Sequence, residues 1–240
     1  PRIALLYDLP TNPSATGATR FILEQQYGYP VTLLQGMNLA RTDLSSYNVL
    51  ILPPSRGIMG NIGNTAISNI RGWVKNGGTL VALGSSTEFL TDEKVGLLAT
   101  KAEFKETPGK KDSEKQKVSK TKPDNIPGAI LRVKLDNTHW LAFGYGEESQ
   151  ILVDSNRIFT PLDAKTGRNV GLYCADPEKL MVSGFAWEET LKQFAGKACL
   201  IWQPSGAGNV VAFSEDINFR AFQDGTNLFF LNAVFFGPGH

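Results

Sequence analysis

Four short apolar runs, separated by stretches of helical spacing, fill the first 85 residues and constrain this chain more than any other feature. The runs are Ile3 to Tyr7, Tyr29 to Leu34, Tyr47 to Leu52 (closed by Pro53-Pro54) and Thr79 to Leu83. Continuous rather than alternating hydrophobicity marks strands covered on both faces, as in a parallel sheet. Between them, Gly17 to Tyr27 reads as a helix stopping at Gly28. Thr65 to Lys75 carries Ile67, Ile70, Trp73 and Val74 on one helical face and ends at Asn76-Gly77-Gly78, a helix stop. Strand and helix in alternation predict an α/β fold with right-handed crossovers. The glycine-spaced stretch from Arg56 to Gly63 reads as a loop.

The texture then changes. Lys101 to Lys122 holds eight lysines with acids among them and almost no apolar residue, so it is expected to be a solvated, mobile insertion. From Pro127 onward short strands dominate: Ala129 to Leu135, Ile151 to Asp154, Val170 to Tyr173, Ala198 to Trp202 and Asn209 to Phe213. The turn Gly206-Ala207-Gly208-Asn209 makes the last two antiparallel neighbours. Thr226 to Phe235 reads as a thoroughly buried helix. The whole, residues 1–240, is expected to be one domain, a parallel sheet flanked by helices with additional antiparallel strands in the second half.

Several function classes are disfavoured by composition. With 24 Lys and Arg against 23 Asp and Glu, the net charge of +1 gives no electrostatic drive toward nucleic acid or an anionic membrane. No run approaches the roughly 20 apolar residues of a membrane span. No basic-then-apolar leader precedes the first strand. The first strand begins almost at Pro1, which suggests a segment of a longer protein. Cys174 and Cys199 form no CxxC motif, so they read as two buried thiols or one disulfide. A catalytic zinc needs about three protein ligands, and with only His139 and His240 the sequence offers no metal site.

Candidate chemistry centres on Ser85. In Leu83-Gly84-Ser85-Ser86-Thr87 it follows the fourth strand, where a hydrolase on a parallel sheet carries its nucleophile, but the motif is not G-x-S-x-G. Ser85 or Ser86 followed by Glu88 also reads as a helix cap. His139 is the available general base, or else a structural histidine. Open α/β sheets bind ligands beyond the carboxyl ends of their strands, which places Asn12, Ser55, Ser85 and Glu88 around a candidate crevice, with Asp8, Glu215 and Asp216 as acids near strand ends. Arg220 either binds a carboxylate ligand or pairs with Glu215 or Asp216.

These residues carry a resemblance. Gly77 to Gly84 is similar to the strand before the elbow in class I glutamine-amidotransferase-like domains, a flavodoxin-like fold. Three features together resemble the domain found C-terminal to the catalytic domain of bacterial zinc carboxypeptidases: Tyr47 to Pro53 before a glycine-rich loop; Asp136 to His139 followed by Leu141 to Gly144; and Gly208 to Phe213 with Phe219-Arg220-Ala221 and Gly225-Thr226. Trp140 departs from the proline the family usually has there. Active amidotransferases of this fold use an elbow cysteine, and neither Cys174 nor Cys199 stands at such a place. The resemblance therefore implies a non-catalytic accessory or recognition domain of a secreted or periplasmic peptidase. No cofactor would lie in this segment, and the zinc would belong to an N-terminal peptidase domain of the same parent chain, its first partner. A peptide or glycan would be the ligand. A small serine hydrolase using Ser85 and His139, or a small-molecule or sugar-binding module, are the alternative readings.

Overall fold

The computed structural model describes residues 1–107 and 119–240. The first strands fall where the apolar runs lie: β1 (Ile3–Tyr7), β2 (Thr32–Gln35), β3 (Val49–Leu52) and β4 (Thr79–Leu83). Helix α1 (Pro13–Phe21) starts earlier than the periodicity suggests. Pro13 has no N–H to lose at the first position, and the Asn12 side chain accepts hydrogen bonds from Ser14 N (3.0 Å) and Ala15 N (3.2 Å). A π-helical turn over Ile22–Gln26 completes it. The stretch read as a loop from Arg56 to Gly63 is mostly helix, because α2 (Ile58–Lys75) begins at Ile58 with a break at Gly63 (φ 75°, ψ 169°). Asn76-Gly77-Gly78 ends it as expected. A side chain at 78 would lie 2.3 Å from the Trp73 ring.

A short helix, α3 (Ser85–Leu90), follows β4. Strands β5 (Lys105–Thr107) and β6 (Ser119–Thr121) pair with each other, giving the lysine-rich stretch a ladder at its base. Residues 108–118, on which half of the expected mobile insertion falls, lie outside the described residues. The remainder comprises β7 (Gly128–Leu135), β8 (Glu148–Val153), β9 (Arg168–Tyr173), α4 (Pro177–Leu180), β10 (Met181–Phe185), α5 (Glu188–Phe194), β11 (Ala198–Ser205), β12 (Gly208–Phe213) and α6 (Asp224–Phe236).

Among the described residues ten strands form one mixed sheet. Its parallel half has the order β2-β1-β3-β4-β12. The antiparallel half continues β12-β11-β9-β7, with β10 beside the start of β7 and β8 along its other edge. Strand β12 joins the halves, antiparallel to β11 and parallel to β4. Successive side chains of a strand face opposite ways, and the core divides accordingly. Leu5, Ile51, Val81 and Val211 pack toward Ile22, Leu23 and α6, whereas Leu6, Leu50, Leu80 and Val210 pack toward α2. Helix α6 is not buried all round, since Leu228 and Phe236 reach solvent.

Candidate functional site

The chain leaves β1 toward β2 on one side of the sheet and returns to β3 on the other. This reversal of strand order opens a crevice beyond the carboxyl ends of β1 and β3, as in other open α/β sheets. Its floor is tied together by backbone: Asn12 N donates to Pro54 O (2.8 Å) and Arg56 N to Pro10 O (3.0 Å). One lobe, of about 690 Å³, lies between Leu9, Pro10, Pro54 and Phe219, with Asn12, Asp154 and Asp216 on its rim. A second, of about 460 Å³, runs toward Glu88, Lys122 and Asn156. The two meet at Ser55, Arg56, Ser85 and Arg157.

The turn out of β4 is the sharpest point of this floor. Gly84 adopts φ 55°, ψ −123°, where a side chain is strained, and its N–H donates to Phe213 O (3.0 Å). The three hydroxyls that follow are all committed to neighbouring main chain. Ser85 Oγ accepts from Ser55 N (2.9 Å) and donates to Ser55 O (2.8 Å); Ser86 Oγ donates to Pro53 O (2.5 Å), and Thr87 Oγ1 to Phe213 O (2.7 Å). Neither serine caps α3, as the sequence had suggested: the cap is Gly84, and the hydroxyls brace the ends of β3 and β12 instead.

Behind the floor lies a buried ion pair. Glu215, 1% exposed, accepts from Arg157 Nη2 (2.8 Å) on one oxygen and from Ser155 Oγ (2.6 Å) on the other, while Arg157 Nε donates to Ser214 O (2.8 Å). Burial pushes the Glu215 carboxyl up to about 7 against the pull of Arg157 and Ser155. Burial also raises Asp216 to about 7, with Asp154 adding to it and the Asn218 N–H opposing. For Arg157, burial alone would lower the pKa, but the carboxylates of Glu215, Glu88 and Asp154 outweigh it and the net shift is upward.

Asn12, Ser55, Ser85 and Glu88 therefore do meet around one crevice, although Glu88 is paired with Lys122 (3.0 Å) and the Asn12 oxygen with its helix. Arg220 does not join them. It pairs with neither Glu215 nor Asp216, and its guanidinium lies 5.1 Å over the Phe219 ring on a left-handed turn (φ 52°) that points it outward. The partner of Glu215 is Arg157, 58 residues upstream, and no local pattern marks that pairing. Arg56, Asp154 and Arg157 were not legible as crevice residues. Asp216 lines the crevice, whereas Asp8 does not.

His139 is remote from Ser85. Its ring packs 5.1 Å from Trp202, and the adjoining Trp140 stacks on His240. His240 follows Gly237, which sits against Thr79 at the start of β4. Ser85 lies just past the other end of that five-residue strand, roughly 16 Å away along it. Burial holds the imidazole down to about 4, and its Nδ1 accepts from Leu141 N (3.2 Å). Cys174 and Cys199 are both buried and free, and burial pushes the Cys199 thiol well up. Among the described residues no three His, Cys, Asp or Glu side chains are placed to hold a metal ion.

The shifted groups predict an unusual pH dependence. Glu215 and Asp216 titrate higher folded than unfolded, so the stability they contribute is complete near pH 4 and declines as pH rises toward 7. His139 titrates lower folded, so its contribution is present above 6.5 and is lost as pH falls toward 4. Two acids outweigh one base. Denaturant midpoints are expected to fall from pH 5 to pH 7, and Asp216→Asn should flatten that slope; an unchanged slope in the variant would remove Asp216 from the account.

With this geometry in place, comparison with solved structures defines the fold. A ThuA-like protein from Parabacteroides merdae superposes with a TM-score of 0.65 at 14% identity, covering 99% of this chain and 90% of the other. PurLQS from Thermotoga maritima gives 0.60 at 13% identity, covering 98% of each. A GMP synthase component from Thermoplasma acidophilum gives 0.58 at 8% identity, covering 97% and 92%. The chain has the flavodoxin-like fold of class I glutamine-amidotransferase-like proteins, with a mixed sheet flanked by helices. No protein-family profile matches it, and no curated protein sequence does.

Proposed function

We propose that this chain is a non-catalytic recognition domain that binds a small polar ligand in the crevice at the ends of β1, β3, β4 and β12. The observation that carries the reading is Gly84. On a parallel sheet the nucleophile of an acyl-transfer enzyme is the strained residue of the strand-to-helix turn, because that backbone thrusts its side chain into the crevice. Here the strained residue has no side chain. Ser85, one position later, is helical and spends its hydroxyl on Ser55, and no histidine stands near it. The crevice nonetheless keeps an exposed Arg56 beside Asp154 and Asp216, so it retains groups of both signs for binding.

The resemblance in Tyr47 to Pro53, in Asp136 to His139 with Leu141 to Gly144, and in Gly208 to Phe213 with Phe219-Arg220-Ala221 and Gly225-Thr226 supports a context for this role: an accessory domain of a secreted or periplasmic zinc carboxypeptidase, docking on its peptidase domain and taking a peptide or glycan. Co-elution with such a peptidase domain supplied in trans tests the context. The site itself is tested with a fluorophosphonate probe. No covalent labelling is expected, and labelling that disappears in Ser85→Ala would overturn the non-catalytic reading. Ser85→Ala should instead lose about 1–2 kcal/mol of stability, since it leaves the Ser55 main chain without its partners.

A further inference from the structure

At the amino ends of β3 and β4, at the opposite end of the sheet from the crevice, a groove of about 550 Å³ runs between the 3-10 turn at Leu44–Ser46 and the last turns of α2. Its chemistry differs from that of the crevice. Among the described residues no lysine or arginine lines it, and its one charged side chain, Asp43, already accepts from Ser45 N (3.0 Å). What faces the space is amide, hydroxyl and aromatic. The Asn76 side-chain amide, the Asn48 Nδ2 group and the hydroxyls of Ser68 and Tyr47 find no hydrogen-bond partner among the described residues, while the Ser45 hydroxyl is taken up by Asp43.

That set of groups selects by exclusion. A phosphate or nucleotide needs a cation or a run of free N–H groups, a lipid needs an apolar wall, and a hard metal ion needs several carboxylates or carbonyls. Amides and hydroxyls both donate and accept, which matches neighbouring sugar hydroxyls, and the half-buried Tyr47 ring offers an apolar face. We infer that this groove is a second binding site, for a neutral carbohydrate.

The site is also built before any ligand arrives. Tyr47 is held at both main-chain ends, its N–H donating to Leu44 O (2.9 Å) and its C=O accepting from Trp73 Nε1 (3.1 Å). Asn48 Oδ1 accepts from Arg2 N (2.8 Å), which aims the free Nδ2. Asn76 ends α2 with its N–H on Gly72 O (3.1 Å). The backbone that carries these groups is therefore fixed before binding.

The test is calorimetric titration of the protein with maltotriose, cellotriose and triacetylchitotriose, and with inorganic phosphate. At least one trisaccharide is expected to bind with a millimolar dissociation constant, and phosphate is not. Asn76→Ala and Tyr47→Ala should each weaken that binding about tenfold, equivalent to roughly 1.4 kcal/mol. Asn76 is exposed at a helix end, so its variant remains informative if Tyr47→Ala does not fold. Failure of all three sugars to bind at millimolar concentration, binding that both variants leave intact, or saturable binding of phosphate at this groove would each overturn the inference. The crevice shares no residue with this groove, so sugar binding that both variants leave intact would point to the crevice rather than here.

Discussion

Replacing Arg157 with methionine is expected to lower the unfolding free energy by about 3–5 kcal/mol at pH 8, the usual consequence of leaving a buried charge without its partner. The substitution strips Glu215 of its cation while Ser155 alone still donates to it, and Ser214 O loses its donor as well. The loss should be smaller at pH 6. Burial already holds the Glu215 carboxyl at about 7, and without Arg157 it moves further up, so it escapes part of the penalty by taking a proton. Arg157→Met combined with Glu215→Leu should recover much of the stability, because an apolar pair carries no desolvation penalty. Denaturant unfolding at the two pH values decides the matter: equal losses at pH 6 and pH 8 would mean that removing Arg157 changes no proton binding in that range, and the coupling to Glu215 would drop out of the account.

Gly84→Ala is expected to remove about 1–3 kcal/mol, for a reason independent of charge. A methyl group at 84 would stand 3.2 Å from Pro54 Cγ and 3.4 Å from Asp216 N, on a backbone with φ 55°. The Pro54 ring would have to give way by a few tenths of an ångström, on a backbone already strained for a side chain. An unchanged unfolding midpoint would show that this turn accepts a side chain without strain, and the turn would then not be a nucleophile elbow emptied of its nucleophile.

The parallel half of the fold was legible because β1, β3 and β4 are buried on both faces and their apolar runs are unbroken. Ile3–Tyr7 and Thr79–Leu83 fall where the runs lie, and the Gly206 to Asn209 turn pairs β11 with β12 as expected. Strand β10 was missed. All five of its residues are exposed, so Met181 to Phe185 shows neither a buried run nor an alternating one. The start of α2 was hidden by Gly57, Gly60 and Gly63, which signal a loop locally but are overridden by the packing of Ile58 and Ile62 into the core. At the site, strand-end logic gathered Asn12, Ser55, Ser85 and Glu88 because it depends on topology alone. It could not find Arg157, whose partner lies 58 residues away, and it misassigned Arg220, whose direction depends on two successive left-handed residues.

The place of β12 governs how this protein can be assembled. The strand that lies against β4 is separated from it by about half the chain, with Asn209 opposite Thr79. While a ribosome is still making the intervening residues, β4 has only one neighbour and its other edge is open. Closing so long a loop is slow, and an unpaired apolar edge invites association with other chains in the meantime. The elbow at Gly84, tied through its N–H to Phe213 O, can therefore take its final shape only after Phe213 has been made. The crevice is thus among the last parts of this fold to form, and a chain truncated before β12 has no route to it.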